Sequence, residues 1–178
     1  MKILFLDHDN VICLWTEHGG RYKHKDGLKR KFDRFNQKAV KILNQILKES
    51  DAEIVVSSDW RHHGTLEEIG EWYEINGIIK KPIDVTTSKP LSPGNDFPWS
   101  HQLQLEQNRG LEIRHWLQEH PEVTHWVAVD DLNLGMEEEY SWERGRERWG
   151  LTNFVHVKRI REGIKQTGLK EKILLYLK

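Results

Sequence analysis

Cysteine occurs once in this chain, at Cys13, and that scarcity removes two classes at the outset. A lone thiol forms no intramolecular disulfide and cannot build a Cys-rich zinc site. It reads as a small core residue and fits a reducing compartment. Long hydrophobic runs are also missing. No stretch approaches the ~20 apolar residues of a membrane span. The opening Met1-Lys2-Ile3-Leu4-Phe5-Leu6 is too short for a signal peptide, and acids interrupt it at once. The expectation is a cytoplasmic protein that does not engage a membrane. Charge of one sign is missing as well. The 27 Lys and Arg nearly cancel the 28 Asp and Glu, for a net charge of -1. That argues against gripping nucleic acid through overall charge, although a local basic patch remains open. There is no internal repeat, low-complexity tract or long linker.

What is present suits one globular domain spanning 1–178, long enough for a proper core. Eight tryptophans are many for 178 residues. Trp72, Trp116 and Trp126 fall at positions that suggest packing rather than recognition.

Four apolar residues, Ile3 to Leu6, run unbroken and end in Asp7-His8-Asp9. Such a run reads as a strand buried on both faces. The acids then fall at its carboxyl end, where open α/β sheets bind ligands. Taken alone, the pair would be no more than a polar turn. Two later runs repeat the pattern. Glu53 to Val56 ends in Ser57-Ser58-Asp59-Trp60-Arg61, and Trp126 to Val129 ends in Asp130-Asp131. Between the strands lie helical patterns at 36–49, 65–75 and 109–119, and a last helix falls at 169–177. Asn36 is a plausible N-cap, and Thr65 with Glu68 forms a capping-box pattern. Ile78-Ile79, Ile83 to Val85 and Asn153 to Val157 suggest shorter strands, and Lys89 to Pro98 a loop. Alternating strands and helices imply a doubly wound parallel α/β sheet.

In a parallel sheet the Asp-x-Asp, Ser-Ser and Asp-Asp ends share one edge. Carboxylates from two strands in one crevice repel unless a divalent cation lies between them. Hard oxygen ligands without nearby Cys or clustered His favour Mg2+. His8 alternates away from the two acids, which argues against a His-based metal site.

Residues 13–35 form a small insertion after the first strand, with no large separate cap. Arg21 to Arg34 holds seven Lys and Arg, including Lys29, Arg30 and Lys31, against two Asp. Tyr22, Phe32 and Phe35 are interleaved. Such a basic flap over the site is either a grip for a polyanion, with rings that stack on a base, or an ordinary solvated surface.

These pieces, Phe5 to Ile12, Val55 to Arg61 and Val127 to Asp131, resemble the haloacid dehalogenase (HAD) superfamily of phosphatases and phosphotransferases. Ser57 to Arg61, Arg109 to Ile113 with Trp116-Leu117, and the tail from Phe154 to Leu169 are similar to the branch named for Swiss Army Knife RNA repair proteins. The resemblance implies an Mg2+-dependent phosphomonoesterase acting on nucleotide or polynucleotide ends. It implies Asp7 as nucleophile and Asp9 as general acid and base. It also implies metal ligation by Asp7, the Asp9 backbone carbonyl and Asp131, with Asp130 as neighbour or water-mediated partner. Ser57 would contact a phosphoryl oxygen, with Ser58 as the fallback. Arg109, opening its helix, would neutralise the phosphoryl charge, with Lys89 as the rival. Arg61 suits either a phosphate contact or, slightly favoured, a structural pairing. Asn10 stands where the superfamily often has Gly, and no acid follows Asp131 at the usual distance. The alternatives are a phosphatase for a small metabolite or phosphoprotein, and a non-catalytic binding module on the same scaffold.

Overall fold

The computed structural model describes residues 1–16, 31–87, 101–135, 150–159 and 161–178. Among these residues five strands form one sheet: β1 (Lys2–Leu6), β2 (Glu53–Val56), β3 (Pro82–Val85), β4 (His125–Asp130) and β5 (Phe154–His156). Their order is β3-β2-β1-β4-β5, and every neighbouring pair is parallel. The helices are α1 (Gln37–Ser50), α2 (Leu66–Ile75), α3 (His101–Glu119) and α4 (Leu169–Tyr176). This is the expected doubly wound parallel α/β sheet, with β1 in the middle.

Both faces of the sheet are covered, and side-chain alternation sorts residues between them. Leu4, Leu6, Ile54, Val56, Val127 and Val129 pack with α1, α2 and α4. Ile3, Phe5, Val55 and Ala128 pack with Ile113 and Trp116 of α3. Phe5 meets Trp116 edge-on, with ring centroids 5.3 Å apart. The same alternation extends to the residues just beyond the strands. Asp7 and Asp130 continue the α3 side, whereas His8 continues the side of α1 and α2.

The caps appear where the sequence places them. The Asn36 side chain accepts from the amides of Lys38 and Ala39, both at 3.1 Å. Thr65 and Glu68 form a reciprocal capping box. Ala39, Val40, Leu43, Ile46 and Leu47 all face the core. Each such large side chain contributes about 1.5–3 kcal/mol on burial.

Three expectations need correction. Ile78-Ile79 is not a strand but the closure of α2. Gly77 takes φ 81°, and the Ile78 amide reaches back to the Tyr73 carbonyl at 2.9 Å. This glycine-led closure with a buried Ile78 is a common helix terminus, and it overrides the β-branched pair. Secondly, α3 begins at His101, so Arg109 lies more than two turns inside it rather than at its start. Residues 101–108 lack apolar periodicity, but Gln, Leu and Glu are good helix formers. Thirdly, Phe32 and Phe35 of the flap are buried in the core and stack on Trp60, so they are not rings held ready for a base. Among the described residues no helix is long and apolar enough to cross a membrane.

Candidate active site

Register brings the acids together. Leu6 pairs with Val129, and the Asp7 amide continues the ladder to the Val129 carbonyl at 3.1 Å. Asp7 and Asp130 are therefore neighbours across two parallel strands, with Asp131 just beyond. One carboxylate oxygen from each of Asp7, Asp130 and Asp131 lies within 4.8 Å of the others.

Arg109 reaches this cluster from α3. Its Nη1 lies 2.9 Å from Asp130 Oδ2 and 3.3 Å from Asp7 Oδ1, and its Nη2 lies 2.9 Å from Asp59 Oδ1. Burial alone would lower the arginine's proton affinity, but Asp130, Asp7 and Asp59 together raise it above its ordinary value. One guanidinium does not balance the surrounding carboxylates. Burial pushes the Asp7 carboxyl well above the usual range, and the Asp130 and Asp131 charges push it further, against Arg109 and a Ser58 hydrogen bond. Burial likewise carries Asp130 up to about 6, although Arg109 and the Leu132 amide oppose it. Three converging oxygen donors with a surplus of negative charge, two of them on buried residues, fit a hard divalent cation. The triad could hold such a metal.

Asp9, Ser57 and Ser58 follow the carboxyl ends of β1 and β2, at the same edge of the sheet. Asp9 leaves β1 at a tight turn in which Asn10 adopts φ 59°, a conformation that Asn tolerates better than most residues. The Asn10 amide group then donates to Asp131 Oδ2 at 2.8 Å. Asp9 Oδ2 accepts the Trp60 indole N–H at 3.0 Å. Ser57 and Ser58 come directly after β2 and are both buried. Among the described residues the Ser57 Oγ has no hydrogen-bond partner, whereas the Ser58 Oγ accepts from the Trp60 amide. The Arg61 guanidinium turns to Glu112 Oε2 at 2.7 Å and to the carbonyls of Ser58 and Ser57 at 2.9 and 3.3 Å. Lys31 is exposed and paired with Glu68 at 2.6 Å. Lys29, Arg30, Lys89 and the loop to Pro98 lie outside the described residues.

His8 is wholly buried on the opposite side, with Nε2 2.6 Å from the Tyr73 hydroxyl. Burial, and then the Arg109 charge, lower its pKa to about 3, so it is neutral and takes no place among the acids.

Sequence reasoning missed three partners: Asp59 on Arg109, Glu112 on Arg61, and Asn10 on Asp131. Glu112 carried a usable signal, because it lies three residues after Arg109 and therefore shares its helix face. Asp59 and Asn10 had none beyond their nearness to the motifs.

Acids gathered at the carboxyl edge of a parallel, helix-covered sheet define a HAD-like α/β protein with a carboxylate site suited to a metal. Residues 3–161 match the family described as the HAD domain in Swiss Army Knife RNA repair proteins, and the chain belongs to that family. The membership points to a HAD-type hydrolase. No curated protein and no solved structure matches the chain.

Proposed function

We propose that this chain is an Mg2+-dependent phosphomonoesterase working through an aspartyl-phosphate, with phosphorylated nucleotide or polynucleotide ends as its substrate class. The carrying observation is the meeting of Asp7, Asp130 and Asp131 at one edge, with Arg109 bridging Asp7 and Asp130. Asp7, Asp131, Asp130 and the Asp9 backbone carbonyl would hold the cation. When bound, it would offset the repulsion between an anionic nucleophile and an anionic phosphate.

The chain's own residues do the rest. An Asp7 carboxylate oxygen attacks phosphorus, and the bond from phosphorus to the ester oxygen breaks. Asp9 gives that leaving oxygen its proton. Water then attacks the phosphorus of the aspartyl-phosphate, Asp9 takes its proton, and the Asp7 carboxylate departs. Arg109 keeps positive charge beside the transferring group. Ser57 supports a phosphoryl contact because its hydroxyl is buried and unpartnered, and such a group gains by acquiring an acceptor. The family's link to RNA repair and the basic residues of 13–35 support the nucleic-acid reading. The sheet and both cores support a single domain, and a cytoplasmic site of action remains the expectation from composition.

A second reading, a phosphatase for a small metabolite or a phosphoprotein, is favoured by the insertion's end. Lys31 is engaged by Glu68, and Phe32 and Phe35 belong to the core. Hydrolysis of an aryl phosphate should require Mg2+, stop with chelator and disappear in Asp7→Asn. Full activity in Asp7→Asn would refute the covalent route. Faster turnover of 3′- or 5′-phosphorylated oligonucleotides than of sugar phosphates or phosphopeptides is expected; the reverse order selects the second reading.

A further inference from the structure

We propose that Thr86 is a substrate-binding residue, which takes a hydroxyl of the substrate's organic part next to the transferring phosphoryl group. This deepens the phosphatase reading and rests on Asp7 as the group that receives the phosphoryl.

Register sets Thr86 in one row with the candidate site. Val85 pairs with Val56, Val56 with Leu6, and Leu6 with Val129. One residue further on, the ladder continues across the sheet. The Thr86 amide donates to the Val56 carbonyl at 2.9 Å, the Ser57 amide to the Leu6 carbonyl at 3.1 Å, and the Asp7 amide to the Val129 carbonyl at 3.1 Å. Thr86, Ser57, Asp7 and Asp130 therefore stand side by side at the ends of four parallel strands. They also share a face. Asp84 Oδ2 accepts the indole N–H of Trp116 in α3 at 2.6 Å, and Val55 packs with the same helix. Two residues on along an extended chain, Thr86 and Ser57 return to that side, where Asp7 and Asp130 already lie.

The row is thus two hydroxyls followed by two carboxylates. Ser57 and Thr86 are each only 1% exposed. Among the described residues neither Ser57 Oγ nor Thr86 Oγ1 has a hydrogen-bond partner. A hydroxyl that has lost water and gained nothing is costly, so buried ones in native proteins are nearly always bonded. Two on adjacent strands, in line with the nucleophile, point to one ligand that satisfies both.

Spacing divides the work between them. Neighbouring strands lie ~4.8 Å apart, so Ser57 stands one spacing from Asp7 and Thr86 stands two, or about 10 Å. The proposed mechanism gives Ser57 a phosphoryl oxygen; Thr86 lies beyond that group and meets the next part of the substrate. A neutral hydroxyl there suits a neutral partner that both donates and accepts, such as a sugar or polyol hydroxyl. Arg61 and Arg109, cations described at this edge, are already paired with carboxylates, so a second phosphate is the poorer fit.

The test compares glycerol phosphate, which carries such hydroxyls, with phenyl phosphate, which has none. Thr86→Val keeps the shape and removes the hydroxyl; Thr86→Ser keeps the hydroxyl. Thr86→Val should lower the ratio of kcat/KM for glycerol phosphate over phenyl phosphate by about tenfold, because it leaves a substrate hydroxyl unpaired. Thr86→Ser should hold the ratio near that of the wild type. Without substrate and in chelator, the thermal midpoint of Thr86→Val should not fall, since the hydroxyl it loses has no partner in the free protein. An unmoved ratio in Thr86→Val, the same change in Thr86→Ser, or turnover of phenyl phosphate alone by the wild type would overturn the assignment. A lowered midpoint or a failure to fold in Thr86→Val overturns it too, and makes the hydroxyl a structural one held by ordered water. A wild-type protein without activity on either ester, or activity that survives Asp7→Asn, overturns the phosphatase reading itself. Activity on both esters that Asp7→Asn abolishes, with the ratio unmoved in Thr86→Val, overturns the Thr86 role alone.

Discussion

Arg61 and Glu112 form an ion pair of 2.7 Å with side chains only 5% and 7% exposed. It joins the helical turn after β2 to the middle of α3. The same guanidinium bonds the Ser57 and Ser58 carbonyls, so one cation holds the serine loop against the helix that carries Arg109.

Removing either partner takes a 2.7 Å counter-ion from a buried charge, with Asp59 3.7 Å from Arg61 left as a weaker one. Arg61→Met and Glu112→Gln should each lose about 3–5 kcal/mol of stability, and the double variant should lose less than the sum. Denaturant unfolding measures all three. The proposed phosphatase activity should fall further in Arg61→Met than in Glu112→Gln, because only the former releases the two carbonyls.

The Asn10–Asp131 bond leads to a metal-binding prediction. Mg2+ should raise the thermal midpoint of the wild type, since a ligand that binds only the folded state stabilises it. Asp131→Asn should remove that shift. Asn10→Gly keeps the left-handed turn and loses only the bond to Asp131, so Mg2+ affinity should weaken about tenfold. Asn10→Ala should also lose about 1–2 kcal/mol of stability at φ 59°. Calorimetric titration and thermal unfolding separate the two effects.

His8 sets a pH dependence of stability. Its pKa is lowered to about 3 in the fold, from an ordinary 6.5. Below pH 6.5 the unfolded chain binds the proton and the folded one does not. His8's contribution is thus fully present above 6.5 and is lost progressively as pH falls towards 3. Asp7 and Asp130 act in the opposite sense, because their raised values favour the folded state as they protonate. The difference between wild type and His8→Asn isolates the histidine. Measured in chelator, it should shrink by about 2–3 kcal/mol between pH 7 and 4.5. A constant difference across that range would mean that His8 accepts its proton without unfolding.

The legible parts of this molecule are those written locally. The apolar runs ending at Leu6, Val56 and Val129 disclosed the sheet, and their polar ends disclosed the shared edge. Asn36 and Thr65 marked two helix starts because a cap acts within four residues. The first two turns of α3 were hidden because its opening residues carry helix propensity without an apolar stripe. Ile78-Ile79 misled because β-branched residues favour strands, while Gly77 decided the backbone. The partners Arg61–Glu112, Trp60–Asp9 and His8–Tyr73 lie 51, 51 and 65 residues apart. No period or spacing joins such pairs; only the folded packing does.

The central place of β1 has a consequence for how this molecule is made. Its first strand is sealed on one side by β2 and on the other by β4, which ends at Asp130. Asp7 is translated some 120 residues before the carboxylates that oppose it. The nascent chain therefore carries only part of the candidate site until β4 is made, and fragments ending before β4 should bind no Mg2+ there. Such long-range closure also belongs to slow folding, because distant segments must meet before either gains.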